Sequence, residues 1–235
     1  MLYTPYQRYK RQAILKETGN IQDRVGKKTA VIVGLGGIGC MSAVLLARFG
    51  VGKLVVVDRD SVSVSNLHRQ VLYSEKDIGK RKAKVAAREL RRANSELKLE
   101  SLDIDVCRST VGQLGRFSPD IILDCVDNIE TRICIDEYCT NGKIPWVFSS
   151  ALGTKGMVHA VIPSVSSVRE GWFRKVFYGK KAVINAKNTG ILNSACNLVS
   201  CIQVTEAIKV LSGKRPASEL IVIDIWKNEI RKLKA

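Results

Sequence analysis

Four glycines, Gly34, Gly36, Gly37 and Gly39, fall within six residues directly after an apolar, β-branched run. Glycine at that density serves a tight turn in which bare backbone N–H groups meet phosphate oxygens, and a helix starting on the turn adds its positive end. Nineteen residues past Gly39, Asp58 closes a second apolar run, where a carboxylate can accept from ribose hydroxyls. These residues alone suit NAD as well as ATP. The polar stretch that follows adds Asp60, Asn66, Arg69 and Gln70, with Lys82 beyond it. Cations beside a ribose carboxylate neutralise charge developing on phosphate oxygens and have no evident use in hydride transfer. The pattern therefore favours a nucleoside triphosphate. His68 and His159 are the only histidines, which leaves no Ser–His–Asp arrangement and no histidine metal cluster.

Such groups need strands to aim them. Residues 29–34 (TAVIVG) read as a strand, 40–49 as a helix and 53–58 (KLVVVD) as a second strand, a β-α-β unit of the length a parallel crossover requires. Beyond it, 80–93 reads as a basic helix, 97–104 as a strand, 109–117 as a helix and 120–125 (DIILDC) as a buried strand. A helix at 131–141 and strands at 145–149 and 157–162 continue the alternation, with Trp146 and Phe148 as core or pocket wall. Residues 163–188 lack a sustained period and read as a long functional loop; 190–211 reads as a long helix, and 220–225 with 228–233 as a terminal antiparallel pair. The expected fold is a Rossmann-like, doubly wound α/β sheet, mostly parallel, flanked by helices and extended by antiparallel strands at its C-terminal end. One domain spans 1–235, with a nucleotide-binding core at 28–150, a crossover loop at 163–188 and C-terminal helix and strands at 190–235.

Composition excludes several classes. Hydrophobic residues at 46% and charged residues at 26% describe a globular chain able to bury a core. No window approaches the ~18 apolar residues of a membrane span, and residues 1–12 lack an apolar export core, so the expected location is the cytoplasm, with no membrane partner. The seven cysteines include no C-x-x-C pair, which argues against a disulfide framework and a zinc knuckle. Lys and Arg outnumber Asp and Glu 38 to 22, a formal +16 that would attract acidic protein, nucleotide phosphates or RNA.

The chain resembles the MoeB/ThiF/HesA family, bacterial-type relatives of the ubiquitin-activating enzymes. The likeness rests on Arg8-Tyr-Lys-Arg11-Gln12, the glycine loop, Ser65-Asn66-Leu67-His68-Arg69-Gln70, Asp77-Ile-Gly79-Lys-Arg-Lys82 and Asp124-Cys-Val-Asp127-Asn128, in the family's order and spacing. It implies ATP-dependent adenylylation of the C-terminal glycine of a ubiquitin-like or sulfur-carrier protein ending in Gly-Gly, with release of pyrophosphate. By resemblance, Gly34, Gly36, Gly37 and Gly39 would cradle the nucleotide, Asp58 would hold the ribose, Asn66, Arg69 and Lys82 the phosphates, and Asp60, Gln70 and Asn128 would belong to the same nucleotide-binding set. Asp127 would bind Mg2+, and Arg11 would reach the site of a neighbouring subunit, which implies a homodimer. Arg11, Arg69, Lys82 and Asp127 would be the catalytic set.

Two departures qualify the likeness. Many relatives hold a structural zinc with two C-x-x-C pairs; here Arg169-Glu-Gly-Trp172 stands where the first is expected and the second is absent, which argues against zinc. Relatives that form a thioester or persulfide use a crossover cysteine, and 163–188 contains none; Cys196 and Cys201 fall in the long helix, where buried packing is expected, so chemistry should stop at the adenylate. The loop's six bases against one acid, and seven bases against one acid in 80–92, could form a basic face for an acidic carrier or for RNA. A tRNA-modifying dehydratase of the same superfamily and a non-enzymatic nucleotide-binding scaffold are the alternatives.

Overall fold

The computed structural model describes residues 5–17, 21–163, 172–177 and 189–234. Among these residues eight strands form one sheet: β1 (Thr29–Val33), β2 (Lys53–Val57), β3 (Lys98–Leu102), β4 (Ile121–Asp124), β5 (Trp146–Leu152), β6 (Lys155–Val161), β7 (Leu220–Asp224) and β8 (Glu229–Leu233). Their order is β3-β2-β1-β4-β5-β6-β7-β8, parallel from β3 to β5 and antiparallel from β6 onward. The chain winds outward from β1 to β3, then returns to lay β4 on the other side of β1. That reversal opens a crevice above the carboxyl ends of β1 and β4.

The central strands are apolar without interruption because both faces are covered. Ala30, Ile32, Leu54, Val56, Ile121 and Leu123 point to one core, while Val31, Val33, Val55, Val57 and Ile122 point to the other, the period of two that a strand imposes. The first face is covered by α3 (Gly37–Phe49), α4 (Lys82–Ala93) and α7 (Asn193–Leu211). The second carries α5 (Ile129–Gly142), a 3-10 turn at Val111–Phe117 and a short α6 (Trp172–Phe177). Near the N-terminus lie α1 (Pro5–Ala13) and α2 (Gln22–Val25).

The expected fold is the one observed, with local corrections. The first helix begins at Gly37 rather than residue 40, so two of the loop glycines, Gly37 and Gly39, belong to its first turn. The basic helix begins at Lys82, the segment read as a helix at 109–117 is a 3-10 turn, and the long helix begins at Asn193. The stretch read as an aperiodic loop contains α6, whose Trp172, Phe173 and Phe177 pack on Trp146 and Phe148. Six residues are too few to display a helical period. Arg174 and Lys175 of the basic segment lie on α6; Arg169, Lys180, Lys181 and Lys187 lie outside the described residues.

Candidate nucleotide site at the carboxyl edge of the sheet

The crevice is built first by backbone. Gly34 has φ +91, and a Cβ there would sit 2.7 Å from the carbonyl oxygen of Cys125, so the turn that leaves β1 needs glycine twice over. A Cβ on Gly39 would collide with the carbonyl of Gly34, whereas one on Gly36 would meet nothing within 4 Å. Among the described residues the loop is thus pinned from below and open above Gly36, and at its mouth α3 begins with the first-turn N–H groups that a helix cannot pair internally.

Asp58, at the end of β2, fixes this loop directly. Its Oδ2 accepts from Leu35 N–H at 2.6 Å and its Oδ1 from Asp60 N–H at 2.7 Å. The carbonyl of Leu35 is held from the other side by Tyr73 Oη and Cys40 Sγ, both at 3.2 Å. Both backbone polar groups of Leu35, on the two successive peptide planes that flank its Cα, are therefore held. Burial raises the Asp58 carboxyl pKa, and the positive charge of Lys82 opposes that shift.

The cations converge on the same place. The stem of Arg69 lies against Gly37, whose added Cβ would approach Arg69 Cδ to 3.2 Å. Its guanidinium donates to the Ser65 carbonyl at 2.9 Å and lies 2.8 Å from His68 Nε2. Lys82, at the start of α4, reaches Asp60 at 3.0 Å with its side chain only 7% exposed. Asn66 Oδ1 accepts from Ser63 N–H at 3.1 Å, closing a capping box on the 3-10 turn Val64–Asn66. Gln70 is buried beneath this turn, and its Oε1 has no partner among the described residues.

Across the crevice, β4 delivers Asp127 exposed at the mouth. The helix cap beside it is Asn128, whose Oδ1 accepts from Thr131 N–H at 2.8 Å, so Asp127 is not spent on capping α5. Beneath lies a buried pair that sequence reasoning missed. Arg132 donates at 2.8 Å both to Asp124 Oδ2 and to the Ser149 carbonyl, and also to Val126 O, which fixes the backbone leading to Asp127. Burial pushes the Asp124 carboxyl up to about 6 against the attraction of Arg132. The available signal was an arginine one turn into a helix that follows a strand ending in aspartate.

Arg11 is not part of this assembly within one chain. α1 docks on the far ends of α3 and α4: Gln12 Nε2 donates to Phe49 O at 2.8 Å and Arg8 Nη1 to Ala93 O at 3.1 Å. A 13-residue α3 places these contacts roughly 20 Å from the glycine loop. The structure thus gathers the glycines, Asp58, Asp60, Asn66, Arg69, Lys82 and Asp127 around one crevice, buries Gln70 beneath it, uses Asn128 as a cap and sets Arg11 apart.

The basic face expected on α4 is largely neutralised by its surroundings. Arg81 pairs with Asp103, Arg88 with Asp77 at 2.7 Å, Arg92 with Glu89 at 3.2 Å, and Arg91 donates to Leu99 O at 3.1 Å. The thiols also depart from expectation: Cys196 is buried, but Cys201 is exposed. Cys40, Cys125, Cys134 and Cys139 are buried as well, while Cys107 is half-buried and hydrogen-bonded to Ser109 and Thr110, which lowers its pKa to about 7.

The sequence profile of the ThiF family matches residues 9–235. The sulfur carrier protein ThiS adenylyltransferase of Bacillus subtilis is 35% identical over 231 residues, covering 97% of this chain and 68% of that protein. The molybdopterin-synthase adenylyltransferase of Haemophilus influenzae is 34% identical over 232 residues, covering 97% and 93% respectively. The adenylyltransferase and sulfurtransferase MOCS3 of Danio rerio is 32% identical, and this chain spans 50% of its length. Among solved structures, Escherichia coli MccB with ATP superposes with a TM-score of 0.82 at 24% identity, over 97% of this chain and 71% of MccB, a likeness of fold.

Proposed function

The chain belongs to the ThiF family, and from that premise we propose that it is an ATP-dependent adenylyltransferase acting on the C-terminal glycine of a small ubiquitin-like or sulfur-carrier protein. The relatives named above are adenylyltransferases, two of them named for the ThiS carrier and for molybdopterin synthase. The observation that carries the reading is the position of Arg69, its stem on Gly37 at the foot of the glycine loop, with Lys82 and Asp60 at its flank.

In this reading the loop N–H groups and the end of α3 receive the phosphates, and Asp58 with Asp60 receives the ribose. A carboxylate oxygen of the carrier's terminal glycine forms a bond to the α-phosphorus. The bond from that phosphorus to the bridging oxygen breaks, and its electron pair leaves with pyrophosphate. Arg69, Lys82 and Asn66 donate to the oxygens on which charge builds. Asp127 offers a hard, exposed oxygen. That suits Mg2+, which is held by one or two carboxylates together with phosphates and would neutralise their charge. Arg11 serves the crevice of a second copy, so the working unit is a homodimer, placed in the cytoplasm. Among the described residues no helix is long and apolar enough to cross a membrane.

ATP–pyrophosphate exchange with a small protein ending in Gly-Gly tests this reading. Exchange should require the intact glycine tail. Exchange indifferent to that tail yet stimulated by tRNA would replace the carrier with an RNA substrate.

A further inference from the structure

α3 and α7 both begin at the crevice, and α7 turns Cys196, Ser200 and Gln203 toward the nucleotide loop and its helix. A Cβ on Gly37 would come within 2.8 Å of Cys196 Sγ, and Ser200 Oγ donates to Ile38 O at 2.9 Å. Gln203 reaches further. It is fully buried, and all four of its hydrogen-bonding positions are filled: Oε1 accepts from Ser42 Oγ at 2.8 Å and Cys125 Sγ at 3.3 Å, and Nε2 donates to Asp124 O and Val147 O, both at 3.1 Å. Two carbonyls can be satisfied only by the NH2 group, so the amide has one possible orientation.

The partners identify the task. Ser42 stands on the helix that starts at the glycine loop, Val147 lies on β5, and Asp124 ends β4 with Cys125 directly after it, just before Asp127. Cys125 in turn touches the loop from beneath, against the positions that Cβ atoms on Gly34 and Gly39 would take. On the reading that this crevice binds ATP, we propose that Gln203 is a positioning residue that fixes the separation between the phosphate loop and the Asp127 side of the site. A buried amide that lost any of these partners would carry an unsatisfied group, so the four bonds form together and admit a single spacing. Misplacement by 1 Å is enough to slow a reaction by ~100-fold.

The test compares Gln203→Glu, Gln203→Leu and Ser42→Ala with Glu206→Gln, a buried polar residue further along α7 that bonds Ala217 N at 2.7 Å and Lys209 at 2.6 Å. Exchange and equilibrium ATP affinity are measured well below each variant's Tm. Both Gln203 variants should lower kcat by about tenfold or more at unchanged KM for the carrier. Ser42→Ala should cost less, and its loss should not add to that of Gln203→Leu. Glu206→Gln should lose Tm but keep kcat. If Gln203→Leu fails to fold, Gln203→Glu and Ser42→Ala decide. Variants that keep kcat within about twofold while losing Tm in step with Glu206→Gln overturn the proposal. A wild-type protein that binds ATP without exchange rejects adenylylation alone; ATP affinity then decides, with equal affinity in the Gln203 variants overturning the inference and weakened affinity supporting it. A wild type that does neither overturns both.

Discussion

Lys82 holds Asp60 at 3.0 Å although its own side chain is 7% exposed, whereas the Asp60 side chain is 57% exposed. On the proposed reading, Lys82 would exchange that carboxylate for phosphate oxygens, and Arg69, whose guanidinium meets the neutral Ser65 carbonyl and the His68 ring, would turn its charge to the same group. Arg69→Ala and Lys82→Ala should each lower ATP–pyrophosphate exchange by roughly tenfold or more, with Tm nearly unchanged for Arg69→Ala. Near-normal exchange in both would remove them from the phosphate site. Charge type and spacing named both residues in the sequence, and the structure places Arg69 against Gly37 and Lys82 on Asp60. Arg132 and Gln203 were not legible there, since each earns its place through partners distant in the chain: Arg132 through Ser149, Gln203 through Ser42, Asp124 and Val147.

Among the elements, α6 shows how a short helix is held without help from its own length. Asp136 on α5 accepts from the N–H groups of Phe173 at 2.8 Å and Arg174 at 3.3 Å, and Trp172 stacks on His159 at 4.3 Å between centroids. Burial pushes the Asp136 carboxyl up to about 6, and its Oδ1 has no partner among the described residues. A carboxyl whose folded pKa is raised favours folding while protonated: its stability is fully present below the unfolded pKa near 3.8 and is lost as pH rises through about 6. Asp136→Asn keeps an acceptor and removes the charge, so its Tm should match wild type below pH 4 and exceed it by ~5 °C above pH 7. A difference that does not vary with pH would reject burial of the charge as its cause. The longer elements announced themselves by apolar runs and glycine boundaries; α6 did not, because tertiary packing on Phe148 and Trp146 stabilises it rather than periodicity.

At the level of the molecule, the reversal between β1 and β4 determines where all of this chemistry can sit; a doubly wound, mostly parallel sheet was expected from the sequence, whereas the place of the reversal follows from the strand order. What the sequence could not supply was the disposition of charge. Seven bases in one stretch suggested a polyanion face, yet acids remote in the chain, such as Asp103, neutralise much of it. α1 also gains meaning only at this scale, because it places Arg11 beyond reach of its own crevice. If Arg11 completes a second subunit's site, mixing Arg11→Ala with Lys82→Ala protein should restore exchange to about a quarter of wild type, since half of randomly mixed dimers carry one intact site. No gain on mixing would confine Arg11 to its own surface. The distribution of sulfur has a further use. Five of the seven thiols, among them Cys125 and Cys196 beneath the loop, are sealed in the folded protein, while Cys107 and Cys201 are reachable. Added alkylating reagent should consume two equivalents at once and the remainder only as the molecule breathes, so the slow phase becomes a clock for local opening. ATP should slow that clock most at Cys125 and Cys196, a reading of nucleotide occupancy by mass spectrometry that requires no turnover at all.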